Sequence, residues 1–290
     1  SIAAFLKATL RGVPNQTSKQ TLVRLYDLLM SSTVDPRPKV RRTAQDGLVD
    51  LIQTGQLERK LGASQLALGH SYNFYAKVVR DSCLNLGRTA DNHTGTSKTM
   101  ILDATGMLQL LGFFGRYLPL VPVDRVLPLC KLVLQVPTLG QPALTNASLR
   151  AMEPLLRKHG AGADSNKQIS LKAQAARTTL FGLIVRTVVQ LQPDSREVML
   201  MKAFCSLTGQ SFGPYFRSDR VNAMLLLPTW MQSTVNALRK ARDVEVVKAL
   251  YDVTVKVLPA VLDAQTWRQH WQYVTTTQEN TATGSDSGEL

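Results

Sequence analysis

Asp35-Pro36-Arg37-Pro38-Lys39-Val40-Arg41-Arg42-Thr43-Ala44-Gln45-Asp46-Gly47-Leu48 holds two prolines, a basic run and an apolar stripe within fourteen residues. Pro36 and Pro38 stiffen a turn, and Pro38 suits the first turn of a helix because the amide it lacks has no partner there. Upstream, Leu22, Leu25, Tyr26, Leu29 and Met30 recur at helical spacing. Downstream, Val40, Ala44, Gly47/Leu48 and Leu51/Ile52 do the same, with Ala44 small enough for close approach. The spacing predicts a helix, a turn and an antiparallel helix, which is the repeating unit of an α-solenoid.

The same signals continue along the chain. Residues 99–118 place Ile101, Ala104, Leu108, Leu111 and Leu118 on one face, and Val126, Leu127, Cys130 and Val133/Leu134 follow Asp124. Residues 141–158 carry Leu144, Ala147, Ala151 and Leu155. Residues 168–191 carry Ala173, Ala176, Leu180, Leu183/Ile184, Thr187 and Leu191. A short helix with Val198, Met201 and Phe204 is expected after an Asp194-Ser195 cap. Residues 219–241 and 243–258 form another pair, the second lined by Val247, Leu250, Tyr251, Thr254 and Leu258. Pro154 and Pro228 fall inside helical patterns and predict kinks. Residues 87–98, 158–167 and 276–290 are polar, and the last segment reads as a disordered tail after a solenoid over residues 1–275. The chain opens without Met on Ile2-Ala3-Ala4-Phe5-Leu6, like mid-helix, and reads as part of a longer protein.

At 290 residues the chain is too long for one small compact domain and suits a repeat array. Its formal charge is +13, a balance that fits an anionic partner such as RNA, acidic protein segments or a membrane surface. No apolar run is long enough to span a bilayer. Cys83, Cys130 and Cys205 lack CxxC spacing; Cys83 and Cys130 fall in apolar-rich segments and read as buried thiols, which favours a reducing compartment. Three glycosylation-type matches, at Asn15, Asn92 and Asn146, are no more than chance supplies. No catalytic, metal or cofactor pattern stands out. His70, His93, His159 and His270 are isolated from ligand partners. Gly95-Thr96-Ser97-Lys98-Thr99 lacks the glycine before lysine that a phosphate loop needs.

The opening stretch resembles the HEAT-repeat pattern D-P-x-P-x-V-R-x-x-A-x-x-x-L, in which Arg41 meets an acidic or carbonyl group across the stack. It also resembles a narrower family, ribosomal RNA processing protein 12, which carries a K-P-K-V/L-R-K-x-A-Q-x-G run after an apolar helix. Met107 to Leu111, Tyr117-Leu118-Pro119, Val126 to Cys130 and Ala143 to Met152 extend the likeness over roughly residues 20–160. Arg37 and Arg42 stand where the family often has Lys, which preserves charge, and the insertion between repeats is shorter than usual. The resemblance implies a long all-α, armadillo-like solenoid without enzymatic activity or cofactor. It implies a nucleolar and nuclear scaffold, shuttling to the cytoplasm, that binds pre-ribosomal RNA and assembly proteins within a large ribonucleoprotein during small-subunit maturation and export. The alternative is a HEAT adaptor or transport-receptor-like protein that binds only proteins.

Arg37, Lys39 and Arg42 are candidate phosphate contacts at a helix start. Arg157 and Lys158, and Arg239 and Lys240, are further candidates, although bases at helix ends also offset the dipole. Tyr72, Phe74 and Tyr75 read as helix packing, with base stacking as the alternative. Trp267 and Trp271, one turn apart, either cap the last repeat or dock a partner.

Overall fold

The computed structural model describes residues 19–54, 64–87, 102–159, 171–191 and 197–261. These residues form ten α-helices. In chain order they are α1 (Lys19–Ser32), α2 (Pro38–Gln53), α3 (Ser64–Leu86), α4 (Ala104–Tyr117) and α5 (Val123–Val133). They continue with α6 (Pro142–His159), α7 (Leu171–Leu191), α8 (Val198–Ser218), α9 (Arg220–Lys240) and α10 (Val244–Val261). Short 3-10 turns at Leu118–Leu120 and Val136–Leu139 link α4 to α5 and α5 to α6. Each helix packs on the one two further along, and α1–α2, α3–α4, α7–α8, α8–α9 and α9–α10 also pack as chain neighbours. The odd helices thus form one layer and the even helices another, and one continuous apolar core runs between them through all ten. That is an α-solenoid of five antiparallel pairs, as the helical spacing predicts.

The opening stretch builds the first pair. Arg37 is extended (φ −76°, ψ 114°), which suits the residue before a proline, and Pro38 takes the first position of α2. Ala44 and Leu48 are fully buried, while Val40 is half-buried. Arg41 is also buried; its Nη1 donates to the Asp35 carbonyl at 2.6 Å, and its Nη2 donates to Gln109 Oε1 on α4. The guanidinium therefore ties the first turn to the second repeat. Arg41→Met is expected to cost about 2–3 kcal/mol, because Gln109 and the turn carbonyl lose a charged donor inside the stack. Urea unfolding measures this, and a change lost in the noise would remove Arg41 from the structural account.

Several expectations need correction. The helix expected to be short after residue 194 is α8, with 21 residues. It continues through Pro214 because Phe204, Phe212, Tyr215 and Phe216 are buried along its length. On α4 the buried set is Met107, Leu110, Leu111, Phe113, Phe114 and Tyr117; Leu108, expected inside, is half-buried. On α10 the buried stripe is Val246, Leu250, Val253 and Val257, one position off the expected one, since Val247 and Tyr251 are exposed. Both α6 and α9 remain continuous helices through Pro154 and Pro228. Asn146 lies mid-helix, and the Ser148 hydroxyl donates to the Val133 carbonyl at 2.6 Å, so this triplet serves packing between α5 and α6. The expected cap at Asp194-Ser195, the tail at 276–290 and the Trp267 helix lie outside the described residues.

Gly182 marks the closest approach of α7 and α8. A Cβ there would lie 3.0 Å from Tyr215 Cε2 and 3.1 Å from its Oη. Gly182→Ala is therefore expected to destabilise by about 1–2 kcal/mol, overpacking outweighing alanine's better helix propensity. A double-mutant cycle with Tyr215→Leu checks the cause: the penalty should shrink when the ring is removed.

Candidate nucleic-acid interface

Antiparallel pairing sorts the helix ends. All even helices begin at one long edge of the solenoid, where the odd ones end; at the other edge the even helices end and the odd ones begin. Helix ends prefer opposite charges, acids at the start and bases in the last turn. Because neighbouring helices run antiparallel, each edge holds helix starts and helix ends alike, so acids and bases occur at both.

At the first edge, acids hold the starts of four of the five even helices, α6 being the exception. Asp35 precedes α2, Asp103 caps α4 through the Gly106 amide at 2.7 Å, and Glu197 precedes α8. Asp243 accepts from the Glu245 amide at 2.8 Å as α10 begins. Arg37 belongs here, and its guanidinium forks onto Asp35 at 2.8 and 2.9 Å. That hydrogen bond holds the Asp35 carboxyl below the usual carboxylate range and raises the Arg37 guanidinium. Lys39 and Arg42 are exposed beside it and make no ion pair among the described residues. Arg239 and Lys240 end α9 at this edge, followed by Arg242, just before the acids that open α10, of which Glu245 pairs with Lys202.

The second edge gathers Arg116, Arg125, Arg157, Lys158, Lys172 and Arg217, all exposed. Contacts between neighbouring ends bring Arg125, Lys158 and Lys172 together there, and the helix order puts Arg116, Arg157 and Arg217 at the same edge. Lys158 Nζ donates to the Pro119 carbonyl between α4 and α5. Lys172 at the start of α7 is 3.4 Å from Asp124 at the start of α5, and Arg125 is 3.7 Å from the same carboxylate. Arg116 bonds Asp46 at 2.6 Å, and Arg157 lies 3.6 Å from Glu153. Asp219 is occupied capping α9 through Asn222. Partial burial holds Lys158 below the ordinary lysine pKa. The exposed ion pairs are weak and leave these bases available to a competing anion.

The candidate residues are thus divided. Arg37, Lys39, Arg42, Arg239 and Lys240 stand at the first edge, whereas Arg157 and Lys158 stand at the second. The 16 residues of α2 put about 24 Å between the two edges. Arg116, Arg125, Lys172 and Arg217 were missed by sequence reading, because each is a single base that joins a group only through helix alignment. Tyr75 is fully buried, with ring centroids of Phe113, Phe114 and Tyr117 5.5–5.7 Å away, so packing is its role. Trp267 and Trp271 lie outside the described residues.

A groove of about 570 Å³ opens between the ends of α5 and α7 and the starts of α6 and α8. Leu134, Pro137, Leu183 and Leu200 line it, with Lys131 and Glu197. Among the described residues no three His, Cys, Asp or Glu side chains cluster to hold a metal, and no helix is long and apolar enough to cross a membrane.

Comparison with protein families matches residues 6–163 to the RRP12-like N-terminal HEAT repeats. The chain belongs to the RRP12-like family. The match spans the Asp35–Leu48 stretch, the Arg41–Gln109 tie and the pairs up to the end of α6. In these RRP12-like repeats the first helix pair and its basic turn are therefore part of the family's own segment. Curated proteins gave no match, and solved structures gave none either.

Proposed function

We propose that this RRP12-like solenoid is a non-enzymatic scaffold of ribosome assembly that holds pre-ribosomal RNA along its second edge. The observation that carries the reading is the run Arg116, Arg125, Arg157, Lys158, Lys172 and Arg217, spaced over three successive helix pairs. Repeats that stack at about 10 Å intervals offer such bases to a phosphate backbone at recurring positions, and many weak contacts add to a salt-dependent affinity. Family membership supports the assembly role, and with it a nucleolar and nuclear location.

The test is a salt titration of binding to a single-stranded pre-ribosomal RNA fragment. A steep fall in affinity with salt is expected. A flat response, or no binding at low salt, would favour the second reading, a protein-binding adaptor. The groove between α5, α6, α7 and α8 favours that reading, since its leucines and prolines suit an apolar peptide.

A further inference from the structure

Asp124 draws two bases from successive repeats onto a single oxygen. Arg125 Nε lies 3.7 Å and Lys172 Nζ 3.4 Å from the same Asp124 Oδ2. The first base belongs to α5 and the second to α7, which pack side by side and begin at the same edge. From α6, Lys158 reaches the link just before α5, where its Nζ donates to the Pro119 carbonyl.

Neither pair with Asp124 is a finished contact. Charge-assisted hydrogen bonds to a carboxylate run about 2.7–2.9 Å, and both distances are longer. One negative charge faces two positive ones, so the group keeps a positive excess even without Lys158. Arg125 and Lys172 lie outside the packed core, their side chains 46% and 76% exposed. Asp124 does not depend on them, because an acid in the first turn of α5 is favoured there by the helix dipole.

We propose that Arg125 and Lys172 form a phosphodiester subsite of the second edge, and that the Asp124 carboxylate holds the place of the phosphate in the free protein. The assignment rests on the reading of that edge as an RNA surface. A phosphodiester has two non-bridging oxygens, so each base gains an acceptor of its own at hydrogen-bond length, where the carboxylate gives the pair one oxygen to share. Binding therefore exchanges an internal anion for an external one. A free phosphate must displace the carboxylate unaided. A strand already held by Arg157 and Arg217 presents its next phosphate at high local concentration, so the exchange selects a polyanion over a single phosphate.

The test is Asp124→Asn in the full chain. At 0.1 M salt its affinity for the single-stranded RNA fragment should rise about three- to tenfold, the range for releasing two weak exposed pairs. Glu245→Gln frees Lys202 from a 3.2 Å pair at the first edge and adds the same charge. Screening over about 10 Å should keep its effect under about twofold. In a background carrying Arg125→Gln and Lys172→Gln, Asp124→Asn should give no gain. Inorganic phosphate, followed through the Arg125 Nε–H resonance, should saturate the Asn variant at about tenfold lower concentration than the parent. Unchanged or weaker RNA binding by the Asn variant, with a steep salt dependence in the parent, would overturn the subsite and leave the RNA reading standing. An equal gain without the two bases would also overturn it, as an effect of overall charge. If the parent binds no RNA at low salt, the RNA reading falls and the phosphate titration decides the subsite: a resonance that moves first in the Asn variant supports it, and one that moves in neither protein overturns it.

Discussion

Tyr75→Ala is expected to remove about 3–5 kcal/mol of folding stability, the range for deleting a large aromatic from a packed core. Tyr75 is 0% exposed and stands where α1, α3 and α4 meet. Its ring contacts Phe113, Phe114 and Tyr117, with the Phe114 ring edge-on at 5.5 Å. Its hydroxyl pairs with Thr33 Oγ1 at 2.9 Å, just after α1. Burial raises the phenol well above its ordinary pKa, as expected of a hydroxyl with no route to water. Tyr75→Phe separates the two contributions. It keeps the ring and loses only that hydrogen bond, and Thr33 still donates to the Met30 carbonyl at 2.6 Å. A cost of about 0.5–1 kcal/mol is therefore expected. Because repeats couple mainly to their neighbours, the loss should appear as faster hydrogen exchange in α1–α4 while α8–α10 keep their protection. Uniform loss along the chain would show that the solenoid unfolds as one unit.

Neutralising the second edge should change RNA binding more than neutralising the first. In the triple variant Arg125→Gln, Lys172→Gln and Arg217→Gln, three exposed bases at the starts and end of α5, α7 and α8 are removed. Each phosphate contact to a single strand contributes about 0.7 to the slope of log affinity against log salt, so the slope should fall by about 2. With the salt-independent part unchanged, that is roughly a hundredfold weaker binding at 0.1 M salt. The matched triple Lys39→Gln, Arg42→Gln and Lys240→Gln at the first edge should leave the slope nearly unchanged. Neither set touches the core, and exposed ion pairs contribute little to stability, so both proteins should fold as the parent does. Equal loss from the two edges would point to a diffuse charge effect. Loss from the first edge alone would move the interface to the start of α2.

The opening stretch carried more than one kind of information, and the structure separates them. As a turn between paired helices it was legible throughout: Pro38 at the first helical position, Ala44 and Leu48 inside. As a charge cluster it was not, because a row of four bases in sequence scatters in space. Arg41 is consumed by the stack, Arg37 is forked onto Asp35, and only Lys39 and Arg42 stand without a partner among the described residues.

Local pattern determined the helices, their approximate limits and the layered repeat, since hydrophobic spacing, proline and caps act within a few residues of one another. Tertiary structure alone decided which of two apolar faces is buried. On α10 the spacing fits Val247 and Tyr251 as well as Val246 and Leu250, and only the presence of α8 on one side chooses between them. It also decided which bases act together. Arg116, Arg125, Lys172 and Arg217 are remote in the chain and come to one edge because the helix pairs stack, bringing the even helices to an end along it.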